Sequence, residues 1–271
     1  MVLEALINPI KAEREPWEVF FIGIAYSSIA IIFSLFLFEE FSSIVMISLT
    51  AMVSVPLIYG AIKMEEKKDL QIKEEKLLIK EHGKVLLFLT VLFAGFAFSF
   101  FLWYMFLDPS TSANLFQVQI RTIESINNPA TGNFFGSSSA FGTILINNMK
   151  VLLFCLLFSF FYGFGAIFVL TWNASVFGAV IGSVVKNSVG SYFHIVPLAL
   201  IRYSLHGIPE ILAYFMAGLA GGIISIAVIR HDFGSGKFKH ILIDSADMTV
   251  GAICVLVIAA LIEVFISPMI L

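Results

Sequence analysis

The sequence predicts an all-α fold, a polytopic transmembrane helical bundle of about six to seven spans. Three observations predict it. Hydrophobic residues make up 59% of the chain and charged residues 13%, with a mean hydropathy of +0.97. Soluble domains are about 45–50% apolar and about 25% charged. Six stretches also reach the roughly 20 apolar residues that a spanning helix needs. Finally, lysine is concentrated in one connection, as expected where loops on one side of a membrane carry the positive charge.

The six clear spans are residues 19–38, 41–62, 85–107, 150–172, 209–229 and 248–267. Charges of both signs precede the first, and no small-residue cleavage site follows it, so it reads as a retained anchor. Segment 63–84 carries seven lysines, whereas the long loop 108–149 carries only Arg121. This asymmetry predicts a cytoplasmic 63–84, a cytoplasmic N-terminus and an external 108–149. Arg230, Lys237 and Lys239 favour the cytoplasm for 230–247, which makes seven crossings and an external C-terminus in the cell membrane. A re-entrant 173–208 would make six.

Three connections carry further signals. The run 63–84 mixes both charge signs with Leu70, Ile72, Leu77, Leu78 and Ile79, and reads as a solvated connector whose lysines set topology, or as a charged hairpin extension or an interfacial helix. In the outer loop, residues 115–126 fit a short surface helix about as well as a β-segment, and 136–142 looks turn-like. Between 173 and 208 the pattern weakens: 174–189 is short and contains Lys186, and 192–205 contains Pro197, His194 and Arg202. This stretch is expected to be broken or re-entrant. Cys155 and Cys254 lie in apolar runs and read as small buried hydrophobes.

The polar residues inside these runs are the candidate site, because ionisable groups in lipid are costly. Asn147 and Asn148 precede the fourth run and Asn173 follows it, where each amide suits a helix end. Alternatively, they line a polar path. Arg202, His206 and Glu210 are spaced by four and would share one helical face. Pro209 opposes that continuity, since it removes a backbone bond and clashes one turn back, but it suits a first turn. The expectation is a new helix at Pro209, with Glu210 at its N-terminus and Arg202 and His206 approaching from the preceding segment. The cluster then acts as a buried charge network, or as a site for protons or ions. His194, His206 and Glu210 are only a weak metal set, matching no metalloprotease spacing. Glu263 reads as interfacial.

Glycines at Gly178 and Gly182, and at Gly218 and Gly222, leave flat faces for close helix packing. Gly163 and Gly165 loosen the fourth span. Such faces serve contacts within the chain first and homo-oligomer contacts second.

Taken together, Asn147-Asn148, the following span with Gly163 and Gly165, Asn173-Ala174-Ser175-Val176-Phe177-Gly178, His206-Gly207-Ile208-Pro209-Glu210 and Ala217-Gly218-Leu219-Ala220-Gly221 resemble the stage II sporulation protein M family. The likeness covers roughly 134–230. Within one membrane domain over 1–271, it leaves 1–133 as a less constrained half and 248–267 as a C-terminal span. Ala174 stands where the family usually has Gly, and Leu205 where it often has Pro. The resemblance implies a non-enzymatic, multi-span envelope protein that organises partners. In endospore formers the family member anchors peptidoglycan-degrading enzymes, and the hydrolysis belongs to those partners.

Three functions follow as expectations: a scaffold in the bilayer with membrane or envelope protein partners, a transporter or channel using the polar cluster, and, last, an intramembrane metalloprotease. No cofactor and no nucleic-acid partner is expected, the latter because the net charge is only −3.

Overall fold

The computed structural model describes residues 15–72, 74–127, 137–162, 165–187, 192–230 and 235–270, with no strand among them. Seven helices are long and apolar enough to cross a membrane. Helix α1 (Pro16–Leu37) starts with Pro16 in its first turn, where the missing N–H costs nothing. A short 3-10 turn, Glu39–Phe41, leads into α2 (Ser42–Gln71). Helix α3 (Glu75–Phe106) returns. The charged run is thus the tip of a helical hairpin, as one of the readings of 63–84 anticipates.

After α3, α4 (Pro109–Leu115) and α5 (Gln117–Asn127) are both helical. Asp108 caps α4 by accepting from the backbone N–H groups of Ser110 and Thr111. Hydrogen bonds from Ser110 and Thr111 hold its carboxyl well below the usual range. Neither helix runs flat over the surface. Leu115, Phe116 and Gln119 are fully buried, and Gln119 ties α2 to the bundle. It accepts from Ser43 Oγ at 2.8 Å and donates to Ser175 Oγ at 3.1 Å.

The second half departs from the expected spans. Helix α6 covers Ser137–Tyr162 and α7 covers Ala166–Asn187. Residues 150–172 are therefore not one span, and 137–142 is helix, not turn. The break falls at the glycines. Gly165 lies so close to Phe158 that a Cβ would sit 2.4 Å from its carbonyl oxygen, and the Ala166 N–H donates to Ser159 Oγ at 3.0 Å. Gly163 lies outside the described residues. Asn147 and Asn148 stand within α6 and Asn173 within α7, so none of them caps a helix. Lys186 is accommodated at the end of α7 because its ammonium donates to the Tyr104 and Leu107 carbonyls. Those carbonyls at the C-terminus of α3 have no intrahelical donor.

Helix α8 (Tyr192–Ile229) is continuous through Pro197 and Pro209. The expected broken or re-entrant element at 173–208 is replaced by the rest of α7 and the first half of α8. The reason lies in the accounting of backbone groups. A proline inside a helix frees one carbonyl at a cost of about 3 kcal/mol. Ending the helix in lipid would free several N–H and C=O groups, each costing several kcal/mol. Packing also holds α8 straight. In its apolar window 78% of the residues are buried, against 22% for α6 and for the last helix. It is the helix the others surround.

Helix α9 (Gly236–Leu261) starts twelve residues earlier than the expected C-terminal span and continues into a π turn, Ile262–Ile266, and a 3-10 turn, Ser267–Ile270. Pro268 explains the widening, because its ring would clash with the Val264 carbonyl in a regular helix. The Ser267 N–H reaches back to the Ile262 carbonyl instead.

Small residues set the helix crossings. A Cβ on Gly95 would lie 2.3 Å from the Phe20 carbonyl, and one on Gly178 2.8 Å from the Ala97 carbonyl. Gly182 packs on the Tyr104 ring, and Gly218 on Ala166. Gly221, which the four-residue spacing skips, approaches the Leu156 carbonyl, and Gly222 is buried beside it. Buried hydroxyls such as Thr50, Ser54 and Thr171 bond to carbonyls one turn back, so they need no partner from another helix. Cys155 is buried, but Cys254 is exposed on the outer face of α9, because only one side of that helix meets the bundle.

Candidate functional site

Two polar clusters lie inside this helical frame. The first surrounds a cavity of about 240 Å³ lined by Asn173, Tyr203, His206, Glu210 and Glu263, with Phe93, Ile123, Phe177 and Ile211 among the apolar walls. Because α8 is continuous, Arg202, His206 and Glu210 do rise along one helix. Asn173 faces them from α7, and the π turn after α9 presents Glu263. Single π turns are frequent at functional sites. Glu210 lies nineteen residues before Ile229, about 28 Å along the helix at 1.5 Å per residue. With an apolar layer about 30 Å thick, that places it towards the end of the bundle opposite the lysine-rich hairpin.

The hydrogen bonds at this cavity are to neutral partners. Tyr214 Oη donates to Glu210 Oε1 at 2.7 Å. His206 Nδ1 and Ser267 Oγ are 2.9 Å apart. Asn173 Nδ2 donates to the Val169 carbonyl at 2.8 Å, leaving its side-chain oxygen for other use. The expected charge network of Glu210 with Arg202 or His206 is not formed: among the described residues no ion pair joins them. Glu210 takes the Tyr214 hydroxyl and His206 the Ser267 hydroxyl as neutral partners instead.

The structure therefore brings together Asn173, His206 and Glu210 of the predicted set. Arg202 is half-buried on the preceding turn and does not line the cavity. Asn147 is exposed and Asn148 buried on α6, away from it. His194 sits in the first turn of α8, twelve residues before His206 and about 18 Å along the helix. Among the described residues, no three His, Cys, Asp or Glu side chains are grouped to hold a metal. Sequence reading missed Glu263, Tyr203, Tyr214 and Ser267. The signal for Glu263 was a carboxylate in an apolar run, but its nearness to the chain end suggested an interfacial place.

The second cluster was not anticipated. It lies at the lysine-rich end, where α2, α3, α8 and α9 meet. Glu65, Glu66 and Asp69 are each at most 1% exposed. His82 Nδ1 lies 2.8 Å from Glu65 Oε1, and Lys68 bridges Glu65 at 3.2 Å and Glu81 at 3.0 Å. Arg230 grips Glu66 with two nitrogens at 2.9 and 3.0 Å. Asp69 is the exception: neither oxygen is hydrogen bonded, and His82 Nε2 stands 3.9 Å away. A visible signal existed in the four-residue spacing of Glu65 and Asp69, which puts both on one helical face.

The arrangement of seven apolar helices with polar groups at their contacts is that of a multi-span membrane protein. No curated relative and no solved structure matches the chain. The family model for stage II sporulation protein M matches residues 84–268, a longer stretch than the 134–230 that carries the motifs, reaching back over α3 and forward over α9. Since that covers about two thirds of the chain, this membrane protein belongs to the stage II sporulation protein M family.

Proposed function

We propose that the protein is a non-enzymatic membrane scaffold, in which the lysine-rich hairpin projects into the cytoplasm and docks partner proteins. The observation that carries this reading is the hairpin itself. Helices α2 and α3 have 30 and 32 residues, about 45 and 48 Å at 1.5 Å per residue. They exceed an apolar layer of about 30 Å by about 15 and 18 Å. The projecting part is held rigid by the Lys68–Glu81 and His82–Glu65 pairs across the hairpin. Arg230 fastens it to the end of α8. Near the tip, Leu77 and Ile79 are 48% and 63% exposed, between Lys76 and Lys80. Exposed apolar residues in a rigid frame of both charge signs suit a partner surface with an apolar centre and a charged rim. The positive-inside rule puts this end in the cytoplasm, and seven crossings put the C-terminus outside.

Site-specific photocrosslinking in native membranes tests this. A crosslinker at residue 79 is expected to give discrete protein adducts that Leu77→Glu removes. A crosslinker at Phe36, 87% exposed on α1, is expected to label lipid. Equal lipid labelling at both positions would sink the scaffold reading.

A transporter is the second reading, supported by the cavity at Glu210. Purified protein in liposomes would then drive a solute or proton flux that Glu210→Gln abolishes. Absence of flux with folding intact removes it.

A further inference from the structure

Beyond that reading, we propose that the protein binds a membrane amphiphile with an ammonium head and an apolar chain, drawn sideways from the bilayer into two joined cavities. The polar cavity at Glu210 does not stand alone. A second cavity of about 380 Å³ lies on the other side of Phe93, Phe177, Gly207 and Ile211, which line both. Its remaining walls are almost wholly apolar, contributed by α1, α3, α7 and α8. Ligand sites of a few hundred cubic ångströms with mostly apolar walls and a few converging polar groups are the usual form for small amphiphiles.

A passage between the two would run past Gly207, which lines both. A Cβ there would meet only one Phe177 ring carbon, at 3.8 Å. The apolar cavity also opens towards lipid. Among its walls Phe98, Leu200 and Ile208 are 42%, 40% and 54% exposed, on the outside of apolar helices, where an embedded bundle would meet lipid. An acyl or alkyl chain can therefore enter without crossing water.

The charge of the head follows from the polar walls. Glu210 and Glu263 both line that cavity, and neither is ion-paired among the described residues. Tyr214, Ser267 and the Val169 carbonyl occupy hydrogen-bonding positions of the cluster, but none brings positive charge. A carboxylate or phosphate head would find two carboxyl groups and no lysine or arginine among the residues lining that cavity. An ammonium head would supply the missing countercharge and donate to the carboxylates and to the free oxygen of Asn173. The level of Glu210, near one boundary of the apolar layer, is where a lipid head resides.

Native mass spectrometry of the full chain in detergent micelles tests the proposal, with hexadecylamine, hexadecanol and hexadecanoic acid as probes of one chain length. Hexadecylamine is expected to bind at one equivalent, at least tenfold tighter than the acid. Gly207→Trp, which fills the passage but leaves both carboxylates in place, is expected to weaken it at least tenfold. So is the Glu210→Gln, Glu263→Gln pair. Equal affinity for amine and acid, or unchanged amine binding by Gly207→Trp with the thermal transition intact, overturns the proposal. Competition by phosphatidylethanolamine but not phosphatidylglycerol supports the bilayer as the source of the amine. Equal competition by both overturns the ammonium preference.

Discussion

The two polar clusters use similar residues to opposite ends. At the lysine-rich end, Glu65 and Glu66 are buried against cations: His82 and Lys68 for one, a two-nitrogen grip by Arg230 for the other. At the opposite end, Glu210 and Glu263 line a cavity and face a phenol, an amide and an imidazole held by a serine. Matched charges spend their interaction on each other and fix helices in place. Carboxylates with neutral neighbours and empty space beside them keep that capacity for something else. The difference lies in partner chemistry, since both clusters sit between packed helices.

The largest expected effect breaks the first cluster. Arg230→Ala takes the grip from a carboxylate that is 1% exposed and is expected to cost about 3–5 kcal/mol. Denaturation of the detergent-solubilised protein measures it. If Glu210→Gln costs as much, the contrast fails, because the cavity cluster would then be equally structural. The expectation for Glu210→Gln is little change, since a carbonyl oxygen still accepts from Tyr214.

Overpacking a crossing comes next. Gly178→Ala places a methyl group 2.8 Å from the Ala97 carbonyl and from Phe100 Cβ, and a loss of about 1–3 kcal/mol is expected. The same assay reads it, with a loss under a few tenths showing that α3 and α7 can part freely. Asp69→Asn should move the other way, raising stability by about 1 kcal/mol by removing a buried charge that lacks a hydrogen bond. A clear fall would mean that the carboxylate has a partner the lysine-rich cluster depends on. A loss of about 1 kcal/mol is expected for Ser267→Ala, which removes the partner of His206. Hydrogen exchange at the end of α9 should rise with it.

Particular residues show what could be read along the chain. Six apolar runs and a lysine-rich hairpin were legible because a bilayer imposes a length and an orientation rule on any spanning helix. The position of the break in the second half was not, because Pro209 and Gly163-Phe164-Gly165 compete as punctuation. Locally, proline is the stronger signal. In a packed bundle its loss is one hydrogen bond, whereas Gly165 allows the close approach to Phe158. The sequence suggests a helix end for Asn173, whereas in the fold it stands within α7 and lines the Glu210 cavity.

The sequence by itself determined the membrane bundle, the family and the residues with unusual polarity, since each depends on composition, length or short spacing. Only the tertiary structure decided what those residues do to one another. Glu263 meets the Glu210 cavity from 53 positions away, and Arg230 meets Glu66 across 164. Such pairings depend on which helices are neighbours and how far each is rotated. In lipid, small residues and individual side chains set that packing, and no periodicity along a single helix encodes it.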